Sequence, residues 1–377
     1  MTLPETQPTP TADPKADPQG SYDVLVIGAG QAGLTLGYYL RQASVRFLIV
    51  DAADQVGSAW AQRWDSLVLF TPRRYNAMPG LPFNGDPDLE PTRDEVIAYL
   101  HRYATEFDLP VQLNSAVTAL HHADGRYVAE LPTGTIHADH VVVATGPFQR
   151  PRVPDFASSV APDVHQIHSS GYRRPSDLPP GRVVVVGGGN TGYQIAEELA
   201  ADHAVVLAVG SRQPPLPRRL LGRQIFWWLT KLRMQRITID SRLGRRLRER
   251  ETLIGSSPAK AKRQGITLKP RAVEAAGRVV RFADGTSVDA EAIIWATGFQ
   301  SDYSWIQLPI VDEHGRPRHR RGVTDQTGLY FLGLQWQYTR GSALLGFVSE
   351  DARYIAHQIT ARSRSRDDAL STAGRLA

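Results

Sequence analysis

Val24 to Gly33 reads VLVIGAGQAG, and Val183 to Gly192 reads VVVVGGGNTG. Each is a run of four aliphatic residues ending on glycines spaced GxGxxG. Such a run is the pattern of a strand buried on both faces of a parallel sheet. The first glycine permits a tight turn, the second lets backbone approach a pyrophosphate, and the third lets helix and strand pack closely. The helix that follows offers free N–H groups and a positive dipole end to an anion. Alone, GxGxxG also describes a ligand-free turn. Strand before, helix after and an acid about twenty residues on make it a dinucleotide signal.

The first loop meets those conditions. Tyr22–Ile27 predicts a strand, Gly33–Arg41 a helix and Phe47–Asp51 a second strand, a βαβ unit. Asp51 stands 23 residues after Gly28, where a carboxylate hydrogen-bonds ribose hydroxyls. The second loop is followed by a helix over Thr191–Ala200 and a strand over Ala204–Val209. The position matching Asp51 falls near Gly210-Ser211-Arg212, without an acid. A carboxylate repels a 2′-phosphate, whereas Arg and Ser accept it. The first site is therefore expected to hold an unphosphorylated ribose and the second NADPH rather than NADH. An ordinary exposed Arg212 is the competing reading.

Outward from the loops the plan repeats. A strand over His140–Ala144 ends in Thr145-Gly146, and one over Ala292–Ala296 ends in Thr297-Gly298. Asp124-Gly125 and Asp284-Gly285 signal hairpins. Arg93–Phe107 has helical spacing, with Thr92 and Glu95 as a capping box. Residues 52–92 are loop-rich, and 147–181 read as a polar, proline-rich connection. Gly328–Gly333 predicts a last strand and Leu344–Ile359 a closing helix. The fold class is α/β with two Rossmann-like dinucleotide-binding domains, the second inserted into the first. The expected boundaries are a disordered tail at 1–20, an FAD domain at 21–150 and 299–377, and an NADPH domain at 151–298 with a basic, aromatic insertion at 212–264.

A length of 377 residues suits two domains. The net charge of +5 is mild, with 43 Lys plus Arg against 38 Asp plus Glu. No cysteine occurs, which excludes disulfides, thiolate metal sites, iron–sulfur clusters and a CxxC redox pair. The N-terminal stretch lacks the apolar core of a signal peptide, and no run of 18 apolar residues occurs. A soluble cytoplasmic protein is expected. The basic run Arg242–Arg250 has no nucleic-acid motif beside it and reads as a solvated face. His165 and His168 have only Asp163 nearby, so no metal site is expected. His168 reads as a linker residue positioning NADPH or as an ordinary loop residue. Trp227-Trp228 with flanking Arg suits a membrane-surface helix, a lid over a substrate channel or, the favoured reading, burial against the neighbouring domain.

Two unlike dinucleotide sites imply a two-cofactor oxidoreductase, with flavin as the natural hydride acceptor. Without a cysteine pair the electrons leave to oxygen, a quinone or a soluble substrate.

GAGQAG, the Gly57-Ser58-Ala59-Trp60 step, GGGNTG and the two ATG segments resemble single-component (class B) flavin-dependent monooxygenases. That class includes flavin-containing monooxygenases, plant YUCCA enzymes and Baeyer–Villiger enzymes. WDSLVLFTPRRY, PTRDEV, LLGRQIFWWL and TRGSALLGFV are similar to the CzcO-like branch of NAD(P)/FAD-dependent oxidoreductases. The resemblance spans residues 20–360 and implies that FAD contacts Gly28, Gly30, Gln31, Ala32, Gly33, Asp51, Ala52, Trp60, Val117, Thr145, Gly146 and Gly333. It implies NADPH on Gly187, Gly189, Asn190, Thr191, Gly192, Ser211, Arg212, Thr297 and Gly298. Trp336 and Arg340 are placed near the flavin ring, at which the N-terminus of the closing helix would point. Reduced flavin would then form a C4a-(hydro)peroxide that oxygenates a small organic molecule, with no side chain assigned as catalytic. This chain departs from the family at Pro162 and Val164, where Phe and Gly are expected before His168 and Tyr172, and at Phe70, where an Asn is expected. Alternatives are an NADPH-dependent flavin reductase or oxidase, and a flavin-bound accessory protein of a cation-transport system. Expected partners are a small-molecule substrate and O2, without nucleic acid or stable membrane insertion. Oligomeric state is left open, a homodimer being one option.

Overall fold

The computed structural model describes residues 20–249 and 252–376, and side-chain surroundings as far as Arg362. The tail expected at 1–20 lies outside it except for Gly20, as does Arg250. The first unit runs β1 (Ser21–Ile27), α1 (Gln31–Gln42), β2 (Phe47–Val50), α2 (Ser58–Ala61), α3 (Arg93–Glu106), β3 (Val111–Gln112), β4 (Ala119–Ala123), β5 (Arg126–Leu131) and β6 (Gly134–Val143). Its strands lie in the order β3-β2-β1-β6-β5-β4. The pairs among β3, β2, β1 and β6 are parallel, and β4-β5-β6 is an antiparallel meander. Asp124 (φ 51°) and Gly125 (φ 78°) make the expected hairpin turn, and Thr92 with Glu95 closes the capping box on α3.

β7 (Arg150–Pro151) and β8 (His165–His168) lead to β9 (Arg182–Val186), α4 (Asn190–Leu199) and β10 (Ala204–Val209). There follow β11 (Pro215–Leu216), β12 (Arg219–Leu220), β13 (Arg223–Gln224), α5 (Ile225–Lys231), α6 (Arg242–Arg248), β14 (Leu253–Ile254) and α7 (Pro258–Arg263). The unit closes with β15 (Thr267–Pro270), the meander β16 (Ala272–Ala276), β17 (Val279–Phe282) and β18 (Ser287–Asp289), and β19 (Ala292–Trp295). Its sheet is parallel, in the order β15-β10-β9-β19-β8. β20 (Phe299–Gln300) pairs antiparallel with β7, so the two chain crossings between the sheets lie side by side. β21 (Leu329–Phe331) then joins β6 in parallel, and α8 (Ser349–Leu376) ends the chain.

Both apolar runs are buried on two faces, as their continuity predicts. Val24 and Val26 enter one core with α1, α3 and α8, while Leu25 and Ile27 enter the other with the meander. Val183 and Val185 likewise face α4, and Val184 and Val186 face the second meander. Each such side chain contributes about 1.5–3 kcal/mol of burial free energy.

Three expectations change. The connection at 147–181 contains β8, an edge strand of the second sheet. The closing helix begins at Ser349, not Leu344. A 3₁₀ turn over Arg340–Ala343 is capped by Thr339, Leu344 is extended (ψ 144°), and Gly346 is pressed against Tyr75, where a Cβ would lie 2.3 Å from its carbonyl oxygen. That turn, rather than the N-terminus of α8, reaches back toward α1. In the insertion it is Phe226 and Ile225 that pack inward, whereas Trp227 and Trp228 stay half exposed.

Candidate active site

The two glycine loops are built to one geometry. Gly28 has φ 117° and Gly187 φ 135°, a region L side chains rarely adopt. A Cβ on Gly33 would lie 1.9 Å from the Gly28 carbonyl oxygen, and one on Gly192 would lie 1.9 Å from that of Gly187. The third glycine of each loop is thus required by helix–strand packing. Cβ atoms on Gly28 and Gly187 would also strike the carbonyl oxygens of Ala144 and Ala296, at 2.5 and 2.1 Å. This is why each cradle is backed by an ATG segment. Gly30 differs: its backbone is ordinary (φ −81°), and a Cβ there would meet nothing within 4 Å. Its bareness serves no packing need of the protein.

At the first cradle the Asp51 carboxylate accepts the N–H of Ala29 at 2.6 Å and that of Ala53 at 2.9 Å. Ala52 is exposed beside it. Ser115 N–H bonds the Asp51 carbonyl at 2.7 Å, and Val117, two residues on, packs against the core that holds Ile27 and Val50. Thr145 is exposed with its hydroxyl accepting from Gln149 at 2.9 Å, and Gly146 follows. Gly333 (φ 84°) lies against α1, where a Cβ would sit 2.9 Å from that of Ala32.

At the second cradle Ser211 and Arg212 are exposed at the end of β10. The Asn190 side chain is committed elsewhere: it donates to Thr252 O at 3.0 Å and accepts from Ile254 N–H at 2.9 Å, clasping the insertion to α4. Thr191 follows in the first turn of α4. The Thr297 hydroxyl donates to the Arg152 carbonyl, and Gly298 O accepts from Arg152 N–H at 2.9 Å and from His168 Nε2 at 2.9 Å. These bonds fix the crossing between the sheets. His168 is held neutral, its pKa lowered by burial, outweighing the Gly298 bond, with Arg63 lowering it further.

Sequence reasoning missed two cations. Arg271, just after β15, places its guanidinium against Gly210, 3.5 Å from where a Cβ would be. Arg63 lies over the Phe148 ring at 4.5 Å, its pKa lowered by burial and then by Arg173. Neither arginine falls within a recognisable motif, and only the fold brings Arg271 to the end of β10 and Arg63 to the crossing between the sheets.

Between the cradles a cavity of about 100 Å³ is lined by α1, the 60–76 loop, α4 and the turn before α8. Trp60 donates its indole N–H to Gln31 Oε1 at 2.8 Å, and Gln31 Nε2 donates to Ala343 O at 2.9 Å. Trp60 packs on both main cores. Gln194 enters from α4. Six residues after Phe70, buried Asn76 also lines the cavity and donates its amide N–H groups to the Thr71 and Pro72 carbonyls at 2.7 and 3.2 Å. Trp336 (φ 54°) and Arg340 are not among the lining residues, and Ala343 to Leu345 stand there instead. A depression of about 190 Å³ near Gly20 and Thr135 lies at the opposite, N-terminal ends of β1 and β2, where parallel sheets do not bind ligands.

Two sheets with parallel cores, each opening on a glycine cradle, with a cavity between them, define a two-dinucleotide oxidoreductase fold. Residues 25–221 match the model of the pyridine nucleotide-disulphide oxidoreductase family, and the chain belongs to that family. It is 47% identical to an uncharacterised CzcO-like oxidoreductase of Geobacillus kaustophilus, over 89% of this chain and 98% of that one. It is 28% identical to the indole-3-pyruvate monooxygenase YUCCA4 of Oryza sativa, over 90% and 87% of the two chains. The solved flavin-containing monooxygenase of Stenotrophomonas maltophilia is similar at a TM-score of 0.77 and 29% identity, over 91% of this chain and 99% of that one.

Proposed function

We propose that the chain is an NADPH-dependent flavin monooxygenase acting on a small organic molecule, with FAD on the first cradle and NADPH on the second. The observation that carries this is the pairing of two like cradles with unlike corners, Asp51 at one and Arg212 with Arg271 at the other. The cradles fit their ligands: Gly30 leaves open space at the N-terminus of α1, where a pyrophosphate would meet free N–H groups. Bound flavin would take a hydride from the nicotinamide and pass electrons to oxygen.

The chain's own residues have defined tasks. Asp51 fixes the loop that carries Ala29 and faces the ribose. Arg212 and Arg271 neutralise a 2′-phosphate. Trp60, Gln31 and Ala343 form a hydrogen-bonded brace across the cavity, and Phe226, stacked on Phe70 at 6.0 Å, covers it from the insertion. The brace and cover exclude water from the reacting centre. The boundaries at 150–151 and 298–299, beside the paired strands β7 and β20, serve as the hinge between the FAD and NADPH domains. With no cysteine, the thiol–disulphide exchange in the family's name has no protein pair to run through.

Turnover under ¹⁸O2 with NADPH and a panel of arylpyruvates, amines and sulfides tests the reading. One labelled oxygen in a product supports it. Hydrogen peroxide formed mole for mole with NADPH consumed, across the whole panel, would point to an oxidase instead.

A further inference from the structure

The two faces of α5 serve different purposes. Ile225, Phe226 and Leu229 turn inward and pack with Ile254, Phe70 and Tyr75. Trp227, Trp228 and Lys231 occupy the complementary helical positions and turn outward. The β12–β13 hairpin lies along that outer face. Trp228 donates its indole N–H to Leu220 O at 2.9 Å, the Arg223 guanidinium stands 5.2 Å over the Trp227 ring, and the two indoles meet edge to face at 4.8 Å. Leu221 sits at the hairpin tip with φ 49° and is 81% exposed, and Leu232 at the end of α5 is 64% exposed. Tip, indoles and helix end therefore form one apolar ridge, half covered at the indoles and bare at Leu221 and Leu232.

The segment that carries the ridge is strongly basic. Residues 212–264 hold 15 Lys and Arg against three Asp and Glu, a formal +12 in a chain whose total is +5. The rest of the molecule is thus net acidic. Every Lys and Arg from Arg219 to Arg248 is exposed, and among the described residues none pairs with a carboxylate side chain. A nucleic-acid surface uses cations to reach phosphates and does not require bare leucines on a hairpin tip. Indoles, aliphatic side chains and unpaired cations together match the headgroup boundary of an anionic bilayer, where rings sit at the interface and each cation gains from the surface potential.

We propose that this ridge docks the protein peripherally on an anionic lipid bilayer, with Leu221 and Leu232 entering the acyl boundary and the arginines held among the headgroups. Attachment is peripheral because among the described residues no helix is long and apolar enough to cross a membrane. The inference goes beyond the oxygenation reading and stands whether or not that reading holds.

Flotation of the full chain with lipid vesicles tests it. Vesicles containing phosphatidylglycerol should bind at least about tenfold more protein than vesicles of phosphatidylcholine alone. The pair L221D/L232D, both surface positions, should lower binding to the anionic vesicles about tenfold with the thermal midpoint unchanged. R242E/R245E/R246E should do the same through charge. Equal binding to both vesicle types would overturn the proposal. So would full binding by L221D/L232D. Tighter binding to a short DNA duplex than to anionic vesicles, insensitive to the leucine changes, would reassign the surface to nucleic acid.

Discussion

The Asp51 carboxylate holds the backbone N–H of Ala29 at 2.6 Å, tying the end of β2 to the glycine turn after β1. One side chain thus shapes the first loop and, in the proposed function, presents its charge to the ribose. Asp51→Asn keeps the size but removes the charge. Hydrogen bonds to charged groups contribute about 1.5–3 kcal/mol, so FAD affinity should fall by at least about tenfold. Fluorescence titration of the flavin-free protein reads this, with the NADPH site as an internal control.

Gly30 and Gly33 should separate ligand from fold. A side chain at Gly30 meets nothing in the protein, whereas one at Gly33 collides with the Gly28 carbonyl. Gly30→Val should fold with a nearly unchanged thermal midpoint in the flavin-free state and lose FAD binding. Gly33→Val should lose stability itself, by about 1–3 kcal/mol or more from overpacking. If Gly30→Val bound FAD like the parent, no pyrophosphate would rest there.

Arg271 and Arg212 should act on the 2′-phosphate alone. Arg271→Ala is expected to raise KM for NADPH about tenfold, with little change for NADH, since a charge-assisted contact to phosphate is lost. Steady-state rates with both coenzymes measure it. An equal loss with both would make Arg271 a structural residue of the turn after β15.

His168 makes a pH prediction. Its Nε2–H donates to Gly298 O, and Ser170 N–H reaches its Nδ1 at 3.2 Å, so the ring is used in its neutral form. Its pKa is lowered from 6.5, first by burial. His319 is lowered too, by burial and then by Arg248. A group with a lowered cationic pKa binds fewer protons when folded. Its stabilisation is complete above the ordinary value and is lost as pH falls from there through the folded value. The thermal midpoint should therefore drop as pH decreases below about 6.5, and His168→Asn should flatten part of that slope. A midpoint that rises on acidification would contradict this.

Phe226→Ala removes a ring that is 3% exposed and stacks on Phe70. Large-to-small changes of this kind cost about 3–5 kcal/mol in a core, and about the lower end applies to this small cluster. Limited proteolysis should then open the 212–264 segment first, with FAD retained on the first cradle.

How much of this the sequence carried depends on range. Val24–Ile27 and Val183–Val186 announced two doubly covered strands because burial on both faces leaves no polar alternation. Thr92 and Glu95 fixed a helix start because a cap is local chemistry. The ends near residues 340–349 were not legible: the break at Leu344 to Gly346 comes from Gly346 pressing on Tyr75, a contact about 270 residues away in sequence. Arg271 and Arg63 were missed for the same reason, since each meets its neighbours, Gly210 and Phe148, only after distant strands pair. The cavity lining at Ala343 to Leu345 was not legible either, since it follows from the same turn.

The central claim is that two unlike cradles make one electron path, from NADPH to a flavin in the same chain. Anaerobic addition of NADPH to the flavin-loaded protein, followed by the visible flavin band, tests it most directly. The band should bleach with one equivalent of NADPH, and much faster than with NADH. A band that persists under excess NADPH, or that bleaches equally fast with both coenzymes, would contradict the account.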